Sequence, residues 1–151
     1  MLSFYEYCTL REARITDPFG QDVEFAQRYP NDDYEIVVID PQKMLPYWKM
    51  NSSNYVEPGS ENEIGGRIKG FGTWYQGDQH YHRLDKAVEP SKVHFNYPKE
   101  MRDKYPDNPR VWSVGFSDGR HRFTWMINQG FKQIPIQTEK ADAEDFKRMF
   151  G

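Results

Sequence analysis

The sequence predicts a single α+β domain with a small mixed β-sheet and a few short helices, and three observations carry that prediction. "YEIVVID", Tyr34 to Asp40, is a β-branched run ended by Asp40-Pro41 and reads as a buried strand. "RVWSVGFS", Arg110 to Ser117, alternates Val111, Ser113 and Gly115 against Trp112, Val114 and Phe116, the period-2 pattern of a second strand. Helical spacing appears between and after such runs: Phe123, Met126 and Ile127 share one face, and Phe146, Met149 and Phe150 share another.

The remaining elements follow in chain order. Residues 1–34 read as a strand or hairpin decorating the core, with a turn at Asp17-Pro18-Phe19-Gly20 and a polar stop at Tyr29-Pro30-Asn31-Asp32. "PQKMLPYW" predicts a short helical turn with Pro41 at its first position and Pro46 limiting its length. "NSSNYVEPGSENEIGG" is a loop by composition, and Ser60 with Glu63 has the spacing of a capping box. Ile68, Phe71, Trp74 and Tyr75 suit an apolar helical face stopped by Gly77. "QHYHRLDKAVEP" and "SKVHFNYP" read as extended segments around a turn, and "KEMRDKYPDNP" as a charged surface insertion. "FKQIPIQ" is a short strand, and the tail "ADAEDFKRMFG" a docked terminal helix. The division is therefore an N-terminal decoration (1–34), a core (36–137) and a C-terminal helix (138–151) within one domain, with no internal repeat or linker.

Composition bounds the function. With 151 residues the chain can bury a core, and 16% aromatic residues supply area that a hydrophobic fraction of 37% leaves short. A net charge of -3 excludes a global basic field for nucleic acid or anionic lipid, so any polyanion contact needs a local patch. Cys8 is the single cysteine, which rules out an internal disulfide and fits a reducing compartment. The N-terminal stretch has no signal-peptide h-region, and nothing approaches the roughly 18 apolar residues of a membrane span. The expectation is a cytoplasmic protein without membrane contact.

The chemistry concentrates in "SDGRHRFTWMINQG", Ser117 to Gly130. A strand ending at Phe116, a turn at Asp118-Gly119 and a helix starting near Arg120 or His121 would aim unpaired backbone N–H groups outward. Gly119 permits positive φ and close approach of a ligand. Arg120, His121 and Arg122 add cations where the helix dipole already places about half a positive charge, an arrangement that an anion would compensate. Arginine suits bidentate phosphate contacts, and histidine suits phosphate hydrogen bonding or proton transfer. The alternative is a charged turn in which Asp118 caps the helix and the arginines are solvated or paired to acids. On the residues alone both readings stand.

Weaker candidates lie elsewhere. His80 and His82 share a strand face with Asp78, but without a third ligand at a diagnostic spacing they read as loop histidines. His94 reads as structural. Glu57 and its acidic neighbours could supply a carboxylate for a nucleotide's magnesium, but they read first as residues that keep a loop soluble. Trp48, Trp74, Trp112 and Trp125 read as core residues more than as base-stacking platforms.

"FSDGRHRFTWMINQGFKQIPIQ" resembles the strand–DGRHR–helix–G–IPV signature of the ParB/sulfiredoxin superfamily, in which the helix N-terminus faces nucleotide phosphates. "IVVIDPQKMLPYW", "YVEPGS", "IGGRIKGFGTWY" and "EPSKVHF" resemble, in order, the plasmid fertility inhibition factor family, over roughly Ile36 to Gln137. The resemblance implies a ParB/sulfiredoxin-like fold, ATP and Mg²⁺ as ligands, ATPase and nuclease activity, and interference with conjugative DNA transfer. It implies a phosphate site of Gly119, Arg120, Arg122 and Arg67, with Asp118 or His121 as the acid/base group and no protein metal-ligand set assigned. Arg67 follows Gly65-Gly66, which would allow close approach of a phosphate, although an arginine there is ordinarily just solvated. The chain lacks the cysteine of the sulfiredoxin signature and the helix-turn-helix that follows the motif in chromosome-partitioning ParB. The implied partners are a nucleotide or DNA. The alternative is a non-catalytic interaction or immunity protein that blocks a secretion-system component or a toxin.

Overall fold

In a computed structural model, residues 12–20, 22–27, 33–57 and 88–151 are described. The predicted turn at Asp17–Gly20 joins β1 (Glu12–Thr16) to β2 (Asp22–Ala26) as an antiparallel hairpin. Asp17 closes it: its carboxylate accepts the Phe19 N–H at 2.8 Å, its carbonyl accepts the Gly20 N–H at 3.2 Å, and Gly20 turns with φ 82°. Val88 bridges to Phe25 in parallel, attaching the hairpin to the rest of the chain.

Among the described residues four strands form the main sheet: β3 (Tyr34–Ile39), β4 (Ser91–Phe95), β5 (Val114–Asp118) and β6 (Ile134–Glu139). Their order is β3-β6-β4-β5, with β4–β6 parallel and the other pairs antiparallel, so the sheet is mixed as predicted. "YEIVVID" forms a strand, but not a wholly buried one. β3 is an edge strand, and only Val37 and Ile39 are buried in it. The inner positions belong to β6 and β4, and β6 is buried from Ile134 to Thr138. Pro135 is tolerated there because β4 joins only at Ile136 and Gln137, one residue later.

Helix α1 (Pro41–Lys49) starts as its sequence dictates: the Asp40 carboxylate accepts the Gln42 N–H at 2.9 Å, with Pro41 in the first turn. Pro46 does not limit it. The helix runs through this proline to Lys49, because Met44 and Trp48 on its buried face are both 0% exposed and packing outweighs one lost backbone bond.

The stretch expected to be a surface insertion contains helix α2 (Lys99–Lys104) and is bolted down by Arg102, which is buried. After β6 a 3₁₀ turn (Lys140–Asp142) leads into α4 (Ala143–Phe150), so the terminal helix begins later than residue 138. Phe146 and Phe150 are buried and Met149 is half-buried against the core, as their spacing predicts. α4 packs on β3 and α1, and the Asp40 N–H donates to the Phe150 carbonyl at 2.7 Å.

The core is aromatic. Tyr47 stacks on Trp112 with ring centroids 4.1 Å apart, and Phe95 stacks on Phe146 at the same distance. A second group gathers Trp48, Tyr55, Phe116 and Phe123. The strand expected from Arg110 begins only at Val114; before it, the Val111 N–H bonds to the Asn108 carbonyl at 3.1 Å in a turn, and the Trp112 indole N–H donates to the Tyr105 carbonyl at 2.9 Å.

Candidate functional site

β5 feeds directly into helix α3 (Arg120–Gln129), the predicted strand–turn–helix. Opposite Lys92 and Val93 of β4 stand Asp118 and Phe116, which leaves Ser117 unopposed as a bulge. Such an extra residue bends the strand and re-aims the side chains that follow it. Ser117 and Asp118 are accordingly exposed, whereas Val114 to Phe116 are buried.

Gly119 is the N-cap, at φ 79° and ψ 20°, and no side chain caps the helix. The capping role considered for Asp118 is therefore not observed. The first turn of α3 carries no acid and opens with Arg120, His121 and Arg122, so side-chain cations add to the positive end of the dipole. The other end is a Schellman stop: Gly130 takes φ 93°, its N–H bonds to the Ile127 carbonyl at 3.0 Å, and the Phe131 N–H bonds to the Met126 carbonyl at 3.1 Å. Between these ends Arg122 to Met126 are all buried, so α3 runs through the core with its N-terminus at the surface.

That N-terminus lines a cleft of about 400 Å³ together with Asn54, Phe116, Ser117, Asp118, Gly119, Arg120, His121 and Arg122. All five residues of the DGRHR motif meet there. Gly119 is held from below by the Ser91 hydroxyl, which donates to its carbonyl at 2.8 Å. A Cβ on Gly119 would come within 2.5 Å of both the Ser91 Oγ and an Arg122 guanidinium nitrogen. The close approach that this glycine permits thus goes first to the protein's own Ser91 and Arg122. Arg120 is half-buried and donates from Nη1 to the Asn54 carbonyl at 3.2 Å. The Thr124 hydroxyl donates to the Val56 carbonyl at 3.3 Å, fixing the loop after α1 against α3.

That loop is the part of the site that sequence reasoning missed. Asn54 accepts the Phe116 N–H at 2.8 Å and the Trp48 indole N–H at 3.0 Å on Oδ1, and donates from Nδ2 to the Phe116 carbonyl at 3.1 Å. Asn51 donates to the Val114 carbonyl at 3.3 Å. Two side-chain amides thus cover edge groups that a fifth strand would have paired. The spacing N-x-x-N was available as a signal, but its strand partner lies more than sixty residues away. Beside it, burial and the Glu57 carboxylate push the Tyr55 hydroxyl up to about 12.

Of the other candidates, Arg67, His80, His82, Asp78, Trp74 and Cys8 lie outside the described residues. Glu57 is exposed. Trp48, Trp112 and Trp125 are buried in the core, and the His94 ring lies against Gly115, where a Cβ would stand 3.1 Å from its Nε2. Among the described residues no three of His, Cys, Asp and Glu gather as a metal-ligand set, and no helix is long and apolar enough to cross a membrane.

The four-stranded mixed sheet, the short helices and the DGRHR turn at the N-terminus of α3 define a ParB/sulfiredoxin-like α+β fold. The crystal structure of Oncogenic Suppression Activity Protein, a plasmid fertility inhibition factor studied as a gold(I) cyanide derivative, is similar with a TM-score of 0.65 at 13% identity. That match covers 93% of this chain and 69% of the other. Residues 36–151 match the model of the plasmid fertility inhibition factor family, and the chain belongs to that family. A 62-residue stretch is also 36% identical to glucose-6-phosphate isomerase of Blochmanniella floridana, covering 38% of this chain. The chain spans only 11% of that enzyme, and its activity carries no implication here.

Proposed function

We propose that this protein binds the phosphates of a nucleotide or nucleic acid in the cleft at the start of α3, and that it interferes with conjugative DNA transfer through that site. The observation that carries the reading is one local arrangement. An uncapped helix N-terminus with no acid in its first turn opens with Arg120, His121 and Arg122 into an accessible cleft. Backbone N–H groups, dipole and guanidinium groups all favour an anion there. Family membership supports it, as does the seating of Gly119 on Ser91, which holds the turn ready before any ligand arrives.

For hydrolysis of ATP or DNA, Arg120 and Arg122 would bear the charge that develops on phosphoryl oxygens, joined by Arg67. His121 would move the proton. Magnesium is ordinarily held by one or two carboxylates plus the phosphates themselves, and Asp118, exposed in the cleft, fits that sparse requirement. When bound, the ion would neutralise phosphate charge.

The test is a titration of ATP with Mg²⁺ into wild-type protein and Arg120→Ala. Losing one charge-assisted contact should weaken binding about tenfold or more while the fold persists. Equal affinity in the two proteins would remove Arg120 from the site, and no binding to the wild type would remove the nucleotide reading. A second reading, a protein that acts by blocking a secretion-system component or a toxin, draws on the exposed side chains of Met101 in α2 and of Tyr97 and Tyr105, which flank that helix. Retained transfer inhibition in an Arg120→Ala protein that no longer binds nucleotide would favour it.

A further inference from the structure

We infer that Asn54 is a positioning residue of this cleft: its side chain fixes the loop whose carbonyl holds Arg120 in place. The inference rests on the phosphate-site reading for its functional consequence, but not for its geometry. Arg120 donates to a main-chain carbonyl, that of Asn54, at 3.2 Å. A guanidinium held this way is only as well placed as the backbone carrying the carbonyl. That backbone follows α1 and is fixed at the same residue by three side-chain bonds, two to Phe116 and one from Trp48, at 2.8 to 3.1 Å. Turn bonds from the Asn54 and Tyr55 N–H groups to the Asn51 carbonyl, at 3.0 and 2.8 Å, tighten it further.

The consequence is geometric. Phe116 is the last paired residue of β5 before the Ser117 bulge, and Arg120 opens the helix after it. Asn54 therefore clasps the strand just before the motif with its side chain and the first helical residue with its carbonyl, spanning the turn from one side. Ser91 supports Gly119 with a hydrogen bond of its own. Asn51 provides an internal comparison, because it clasps the same strand edge at Val114 and has no bond to Arg120. If Asn54 served only to cover an exposed edge, the two asparagines would behave alike.

The experiment has two readouts. The first is ¹⁵N relaxation of the Arg120 side chain in ligand-free protein. The wild type and Asn51→Ala should show an ordered guanidinium, and Asn54→Ala a mobile one. Asn54→Ser, a milder change that puts a shorter hydrogen-bonding hydroxyl in place of the amide, should show partial loss of order and serves if the alanine variant does not fold. A mobile Arg120 in the wild type, or an equally ordered one in the Asn54 variants, overturns the inference. The second readout is affinity for ATP with Mg²⁺ in a double-mutant cycle. Asn54→Ala should weaken binding about tenfold when Arg120 is present and leave it unchanged in Arg120→Ala. Additive losses overturn positioning through Arg120. A wild type that binds no nucleotide, while Arg120 order still depends on Asn54, would sink the phosphate reading and leave the positioning intact.

Discussion

Among the described residues two arginines are buried to nearly the same degree, Arg102 at 6% and Arg122 at 5% exposure, and they stand in different places, one between two helices and one at a cleft. Arg102 is enclosed. Its guanidinium donates to the Tyr97 carbonyl at 2.9 Å and to Asp145 at 3.2 Å, lies 3.8 Å from Asp142, and sits 3.7 Å above the Phe95 ring centroid. Arg122 lies against Gly119 at the wall of an open cleft, in a helical turn without acids. The first residue joins α2 to α4 and has the surroundings of a structural bolt. The second is one of the residues that line the cleft at the start of α3. Burial of an arginine therefore says little by itself; where in the fold the residue stands separates the bolt from the cleft wall.

The largest expected effect comes from breaking the enclosed side. Arg102→Ala takes the buried guanidinium from Asp145, which keeps only Arg148, and from the Tyr97 carbonyl, and it should cost about 3 kcal/mol in urea unfolding, with nucleotide affinity unchanged in the folded protein. Next is Gly119→Ala, which meets both the strain of φ 79° and contact with Ser91 and Arg122. A loss of roughly 2 kcal/mol is expected, together with loss of ATP binding. Gly130→Ala sharpens the comparison. Its φ of 93° is as demanding, but the added Cβ would meet only Pro18 at 3.9 Å, ordinary contact. About 1 kcal/mol of strain should appear in the same denaturation assay, with binding intact.

The smallest effect is acid sensitivity. Burial pushes the Asp145 carboxyl upward, but hydrogen bonds from Arg148 and Arg102 and the charges of Lys99 and Arg148 hold it below the usual 3.8. A depressed folded pKa contributes stability that is present above the unfolded value and is lost as pH falls through the folded one. Asp145→Asn should therefore flatten the stability profile below about pH 4, measured by urea midpoints, without altering the cleft.

Local signals made much of this architecture legible. Asp40-Pro41 marks the start of α1, Gly130 the end of α3, and Asp17–Gly20 the hairpin turn, because each is a rule of neighbouring residues. The DGRHR turn was legible in the same way, and the structure gathers its five residues at one cleft. What stayed hidden depends on distant partners. Pro46 is carried by the burial of Met44 and Trp48, and Arg102 is made structural by Asp145, far along the chain. Asn54 became part of the site only by meeting Phe116, and β3 proved an edge because β6 and β4 took the inner positions of the sheet.

The central claim is that the first turn of α3, and not the enclosed arginine of α2, receives the anion. The direct measurement is an amide chemical-shift titration of the ¹⁵N-labelled protein with ATP and Mg²⁺. Saturable shifts should centre on Ser117 to Arg122, with Asn54 following and the amides around Arg102 unmoved. Shifts that centre on α2 and α4, or no saturable shift at Gly119, Arg120 and His121, would contradict it.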